Sequence, residues 1–135
     1  MAILAKAQLA EVEGAWARLP EPPRYRILRG PETGLVMVRG RIGGSGAPFN
    51  VGEMSVTRCT VELERGGAPG HAYVAGRSER HATLAAVLDA LLQENAAGPA
   101  VDMIESLAAA QLERRRLAAA KVATSRVEFF TMVRE

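Results

Sequence analysis

Arg39-Gly40-Arg41-Ile42-Gly43-Gly44-Ser45-Gly46-Ala47-Pro48-Phe49-Asn50-Val51-Gly52-Glu53 sets five glycines and one proline between two runs that read as β-strands. Glycine loses more conformational freedom on ordering than any other residue, so such a cluster marks a sharp reversal or a close backbone approach. A reversal here makes the flanking strands antiparallel neighbours, and that decides the fold class. Arg39 and Arg41 precede the cluster and Glu53 follows it. On a functional reading, Gly43, Gly44, Ser45 and Gly46 present backbone N–H groups to a phosphate or a partner, with guanidinium alongside. On a structural reading the glycines only turn a wide hairpin, and the loop by itself favours that one.

Upstream of the loop, Val36, Val38 and Ile42 alternate with Leu35, Met37, Arg39 and Arg41, the period-two pattern of a strand. Arg24 to Arg29 reads as a separate strand, divided from it by the turn-forming Gly30-Pro31-Glu32-Thr33-Gly34. Downstream, Met54 to Glu64 puts Thr57, Cys59, Val61 and Leu63 on one face and Val56, Arg58, Thr60 and Glu62 on the other. After the turn Arg65 to Gly70, His71 to Arg77 reads as a return strand. The sum is an antiparallel meander of four or five strands.

Helices flank it. Leu9, Val12, Trp16 and Leu19 recur at helical spacing, and Pro20, Pro22 and Pro23 end that helix. Ser78 is placed to cap a second helix whose stripe is Leu84, Val87, Leu88, Leu91 and Leu92. Gly98 and Pro99 break the chain before an Ala-, Leu-, Glu- and Arg-rich helix from Ala100 to Thr124. Its apolar stripe is thin, which predicts an arm. Two of the three phenylalanines lie in the last nine residues, and Phe129, Phe130, Met132 and Val133, with Arg126, are expected to form an interface. The fold expected is therefore α+β: residues 1–97 an α+β core domain, residues 98–135 a C-terminal helical arm and apolar tail. Such a tail also predicts that the isolated chain self-associates.

Composition narrows the function classes. At 135 residues and 48% hydrophobic, the chain suits one globular domain. A formal net charge of +2, with no uniformly basic helix, argues against nucleic acid, and the sequence lacks a membrane span or signal segment. A cytoplasmic location is expected. Cys59 is the only cysteine, so no intrachain disulfide forms, and with His71 and His81 it makes no recognised metal spacing. His81 falls in line with Leu84, Leu88 and Leu91, the position of a hydrogen-bonded histidine at a core edge. Arg39, Arg41 and Arg58 are candidates to share one sheet end as an anion site, or else to be solvated or paired with Glu53 and Glu62. This inventory fits a binding or structural subunit better than an enzyme; a small self-sufficient enzyme and a homo-oligomeric anion- or nucleic-acid-binding module are the alternatives.

Several ordered segments carry a resemblance: Glu32-Thr33-Gly34-Leu35-Val36, the Gly43 to Gly46 loop through Phe49, Thr57-Arg58, Gly76-Arg77 followed by His81-Ala82, and Ser125-Arg126-Val127-Glu128-Phe129-Phe130-Thr131-Met132-Val133-Arg134. Together they resemble the G subunit of the bacterial carbon–phosphorus lyase core complex of phosphonate metabolism, from about the first helix to the last residue. Ser78 departs from the family pattern, which has Asp there, although both residues can cap a helix. The resemblance implies an accessory subunit that assembles with H, I and J subunits and an associated ATPase-like L subunit. That assembly transfers a phosphonate onto ATP, displaces adenine and leaves ribose 1-phosphonate 5-triphosphate. Nucleosidase chemistry is implied for the I subunit and iron–sulfur radical chemistry for J; this chain, with one cysteine, cannot ligate such a cluster alone, and no cofactor is expected in it. Arg41, Arg58 and the glycine loop are then the candidates for a phosphonate- or partner-facing role.

Overall fold

The computed structural model describes residues 1–95 and 98–123. Three antiparallel strands lie in the order β1 (Tyr25–Arg41), β2 (Pro48–Leu63), β3 (Gly70–Ala75). Three helices accompany them: α1 (Leu9–Ala17), α2 (Glu79–Glu94) and α3 (Pro99–Ala123). Short 3-10 turns occupy Leu4–Lys6 and Ile42–Gly44. The α+β class expected from the sequence is observed, with helices packed on an antiparallel sheet.

The strand count differs from expectation for a definite reason. Gly30 and Pro31 do not reverse the chain. They sit within one continuous β1, where the register passes from Arg29 opposite Thr60 to Glu32 opposite Arg58, leaving β1 one residue longer than its partner. A second irregularity at Leu28 has the same form. Both are β-bulges, and because β1 is an edge strand, the missing N–H of Pro31 costs no ladder bond. Two expected strands are therefore one strand of 17 residues.

The core lies on one face only. Cys59, Val61 and Leu63 of β2 and Ala72 and Val74 of β3 are buried against Leu84, Val87 and Leu88 of α2. Ala82, Ala85, Ala86 and Ala90 of the same helix are fully buried as well. Those alanines bring helix and sheet unusually close. A Cβ on Gly70, at the start of β3, would lie 2.5 Å from the amide nitrogen of Ala90 and 2.8 Å from its Cβ, and nearer still to the carbonyl oxygen of Ala86. Leu4, Val12 and Ala15 close the core from the N-terminal side, and Ala100, Met103 and Leu107 of α3 cover another flank. Gln111 Nε2 donates to the Ile3 carbonyl (2.6 Å) and Arg114 pairs with Glu11. The proximal part of α3 is thus docked, whereas Leu112 and Leu117 are exposed.

β3 pairs with β2 only from Val56 to Val61. Beyond that point the hairpin, Leu35–Arg41 against Pro48–Ser55, continues with two strands, and among the described residues Leu35, Met37, Phe49 and Val51 stay exposed on it.

Replacing Gly70 with alanine should therefore destabilise the domain by about 1–3 kcal/mol in urea unfolding, the usual range for overpacking a close contact. A change below about 0.5 kcal/mol would mean that helix and strand part freely.

Candidate functional site

The loop from Arg41 to Gly46 closes on itself. Gly43 and Gly44 hold φ of 62° and 80°, a region glycine enters without steric cost. The Gly46 N–H donates to the Ile42 carbonyl at 3.0 Å, and Arg41 Nη1 donates to the Gly46 carbonyl at 2.8 Å. A Cβ at Gly46 would stand 2.9 Å from that Ile42 oxygen. One guanidinium nitrogen of Arg41 thus staples the loop, leaving the rest of an exposed cation at the hairpin tip. Arg39 lies opposite Asn50 and Glu53 opposite Met37; neither forms an ion pair among the described residues. Ser45 is exposed.

Arg58 does not join Arg39 and Arg41. With β2 beginning at Pro48, Arg41 pairs with Pro48 and Arg58 lies far down the strand, opposite Glu32. Ten residues of β2 then separate them, about 30 Å at ~3.3 Å per residue. The sheet end expected from the sequence does not exist, because that expectation started the second strand of the hairpin at Met54, whereas β2 starts at Pro48, directly after a short turn. Arg58 instead lies on the helix-free face, where its Nε donates to Glu32 Oε1 at 2.7 Å and Arg29 Nε donates to the same oxygen at 2.9 Å. Hydrogen bonds from Arg58 first and Arg29 second hold the Glu32 carboxyl below its ordinary range. Tyr73, and then Glu32, hold the Arg58 guanidinium above its own. The neighbouring hollow, between Val36, Val56 and Tyr73, is shallow, about 190 Å³. An anion entering it would compete with a carboxylate already in place. Neither Glu53 nor Glu62 partners Arg58; Glu62 accepts from Arg26 Nε at 2.8 Å.

His81 is buried in the first turn of α2. Its backbone N–H donates to Ser78 Oγ at 3.2 Å, the cap expected from the sequence. Its Nε2 lies 2.8 Å from the Leu4 carbonyl oxygen. A carbonyl only accepts, so Nε2 carries the proton and donates. The ring therefore clasps the N-terminal segment to α2. His71 and Cys59 are also engaged. Nδ1 of His71 lies 3.2 Å from Thr60 Oγ1, and its backbone N–H donates to Asp89 Oδ2 at 3.1 Å. Burial pushes the Cys59 thiol up, away from the thiolate a nucleophile needs. The three sit on different elements, and no group of His, Cys, Asp and Glu among the described residues could hold a metal ion.

Arg126, Phe129, Phe130, Met132 and Val133 lie outside the described residues. Sequence reasoning missed the exposed apolar hairpin. Leu35, Val36, Met37, Ile42, Phe49, Val51 and Met54 are all exposed there. The signal was present in Leu35-Val36-Met37-Val38, an unbroken apolar run whose two faces are equally apolar.

The family model described as phosphonate metabolism protein PhnG matches residues 1–135. A relative from Rhizobium meliloti (strain 1021), alpha-D-ribose 1-methylphosphonate 5-triphosphate synthase subunit PhnG, is 47% identical over 135 residues, covering 99% of this chain and 86% of the relative.

The histidine clasp is open to direct test. His81→Ala should cost about 1–3 kcal/mol in urea unfolding, because it removes a buried donor and leaves the Leu4 carbonyl unsatisfied. His81→Gln, which can still donate, should recover part of that. Equal stability of all three proteins would show that the contact contributes nothing.

Proposed function

We propose a function on one premise: the chain belongs to the PhnG family of phosphonate metabolism proteins. It is an accessory subunit of a synthase that transfers a phosphonate onto ATP, displacing adenine to give ribose 1-phosphonate 5-triphosphate. The observation that carries this reading is near full-length identity of 47% with a chain named as a subunit of such a synthase. The described chemistry supports an accessory role. His81 holds the N-terminal segment, His71 and Cys59 have hydrogen-bonding neighbours within the sheet and α2, and Arg58 is ion-paired with Glu32.

The partners are the H, I and J subunits and an associated L subunit. Displacement at an anomeric carbon is open to attack by water, so the reaction benefits from a subunit that excludes water and keeps a phosphonate dianion in line. Among the described residues, the hairpin tip with Arg41 and the Gly43–Gly46 loop extends beyond the three-stranded part of the sheet, a position from which it can reach a neighbour's pocket.

Reconstitution with ATP and methylphosphonate tests this. The pure chain should release no adenine above background, the other subunits without it should lose most transfer activity, and adding it back should restore that activity. Adenine release by this chain alone, abolished in His81→Ala, would make it an enzyme and overturn the accessory reading.

A further inference from the structure

The distal hairpin is a ribbon with two apolar faces. The register places Leu35 and Met37 opposite Ser55 and Glu53 on one face, and Val36 and Val38 opposite Met54 and Gly52 on the other. Leu35 is 63% exposed, Met37 51% and Ile42, at the tip, 76%. Phe49 lies opposite Gly40, whose missing side chain leaves room for Val51 and the Phe49 ring alongside the strand. Seven exposed apolar side chains at roughly half exposure leave on the order of 500 Å² of apolar surface. That compares with the largest patch on an ordinary monomer, and it is most of the ~800 Å² that one side of a stable interface supplies. A two-stranded ribbon is marginal in water by itself.

We infer that this ribbon, residues 35–55, is a docking arm that inserts into an apolar cleft on another subunit of the synthase, with carboxylates of that subunit meeting Arg39 and Arg41 at the inner end. The inference rests on the synthase reading and adds to it the surface and the chemistry of the contact. A second copy of this chain fits poorly. Two identical ribbons packed face to face would each leave one apolar face in water. An antiparallel two-fold pairing would also bring the Arg39–Arg41 tip against the Arg29–Glu32–Arg58 cluster at the base, positive against net positive. A cleft with apolar walls covers both faces, and carboxylates at its end neutralise the two arginines.

The test is recovery of co-expressed H, I and J subunits on a tagged full-length chain. Three double variants should each reduce that recovery at least tenfold: Leu35→Ser with Met37→Ser, Val36→Ser with Phe49→Ser, and Arg39→Glu with Arg41→Glu. Trp16 and Tyr25 meet edge to face in the core, 6.5 Å between ring centres, so their near-ultraviolet dichroism reports whether each variant keeps the fold. A photoreactive residue in place of Ile42 gives a readout without truncation, and it should crosslink to another subunit. Recovery that persists in all three variants, or crosslinking of Ile42 chiefly to a second copy of this chain, overturns the arm. A wild-type chain that recovers no other subunit would overturn the synthase reading itself, and the arm with it.

Discussion

The approach of α2 to β3 at Gly70 is the constraint on which the rest of this structure depends. Small residues on the helix, Ala82, Ala85, Ala86 and Ala90, let its backbone settle against the strand, and Gly70 removes the one side chain that would hold it off. Once α2 is fixed, the buried residues of β2 are fixed with it, and so is the end of the sheet that can have a core. A helix of 16 residues is about 24 Å long. The hairpin is longer than the three-stranded region that this helix covers, so among the described residues its distal half keeps its apolar side chains exposed. The N-terminal segment then locks the helix in place through His81 and the Leu4 carbonyl, with Asp89 near the terminal amine (3.6 Å) and accepting from the His71 backbone.

Much of this was legible from residues. The alternation of Thr57, Cys59, Val61 and Leu63 gave the buried face of β2 correctly, and the α2 stripe gave the helix that covers it. Ser78 as a cap, and His81 as a hydrogen-bonded histidine at the core edge, were both readable from position. The strand number was not, because Gly-Pro within strand-like sequence signals a turn unless the strand is an edge, and edge position is a tertiary fact. A separate difference, β2 starting at Pro48 where the sequence reading began that strand at Met54, set Arg58 apart from Arg41. Glu32 as the partner of Arg29 and Arg58 could not be found in sequence, since the pairing depends on bulges that shift the register. The leucine and valine stripe of α2 was legible, but the alanines beside it, which form much of the contact surface, gave no separate signal. Gly70 looked like one more turn glycine.

The candidate site divides accordingly. Arg58 donates to Glu32 and His81 to the Leu4 carbonyl, so each is engaged within the chain. The tip is different: a self-closed glycine loop, a cation bonded through one nitrogen, and apolar side chains on both faces of an unsupported ribbon. A surface of that kind is poorly matched to water and well matched to a protein cleft. On the proposed reading, it ties the amino-acid pattern to assembly.

Amide hydrogen exchange over residues 35–55, in the isolated chain and in the assembled synthase, tests this account most directly. The prediction is fast exchange of the distal hairpin in isolation, with residues 57–63 protected, and strong protection of both after assembly. A hairpin as protected as the core in the isolated chain, or one whose exchange does not change on assembly, would contradict it.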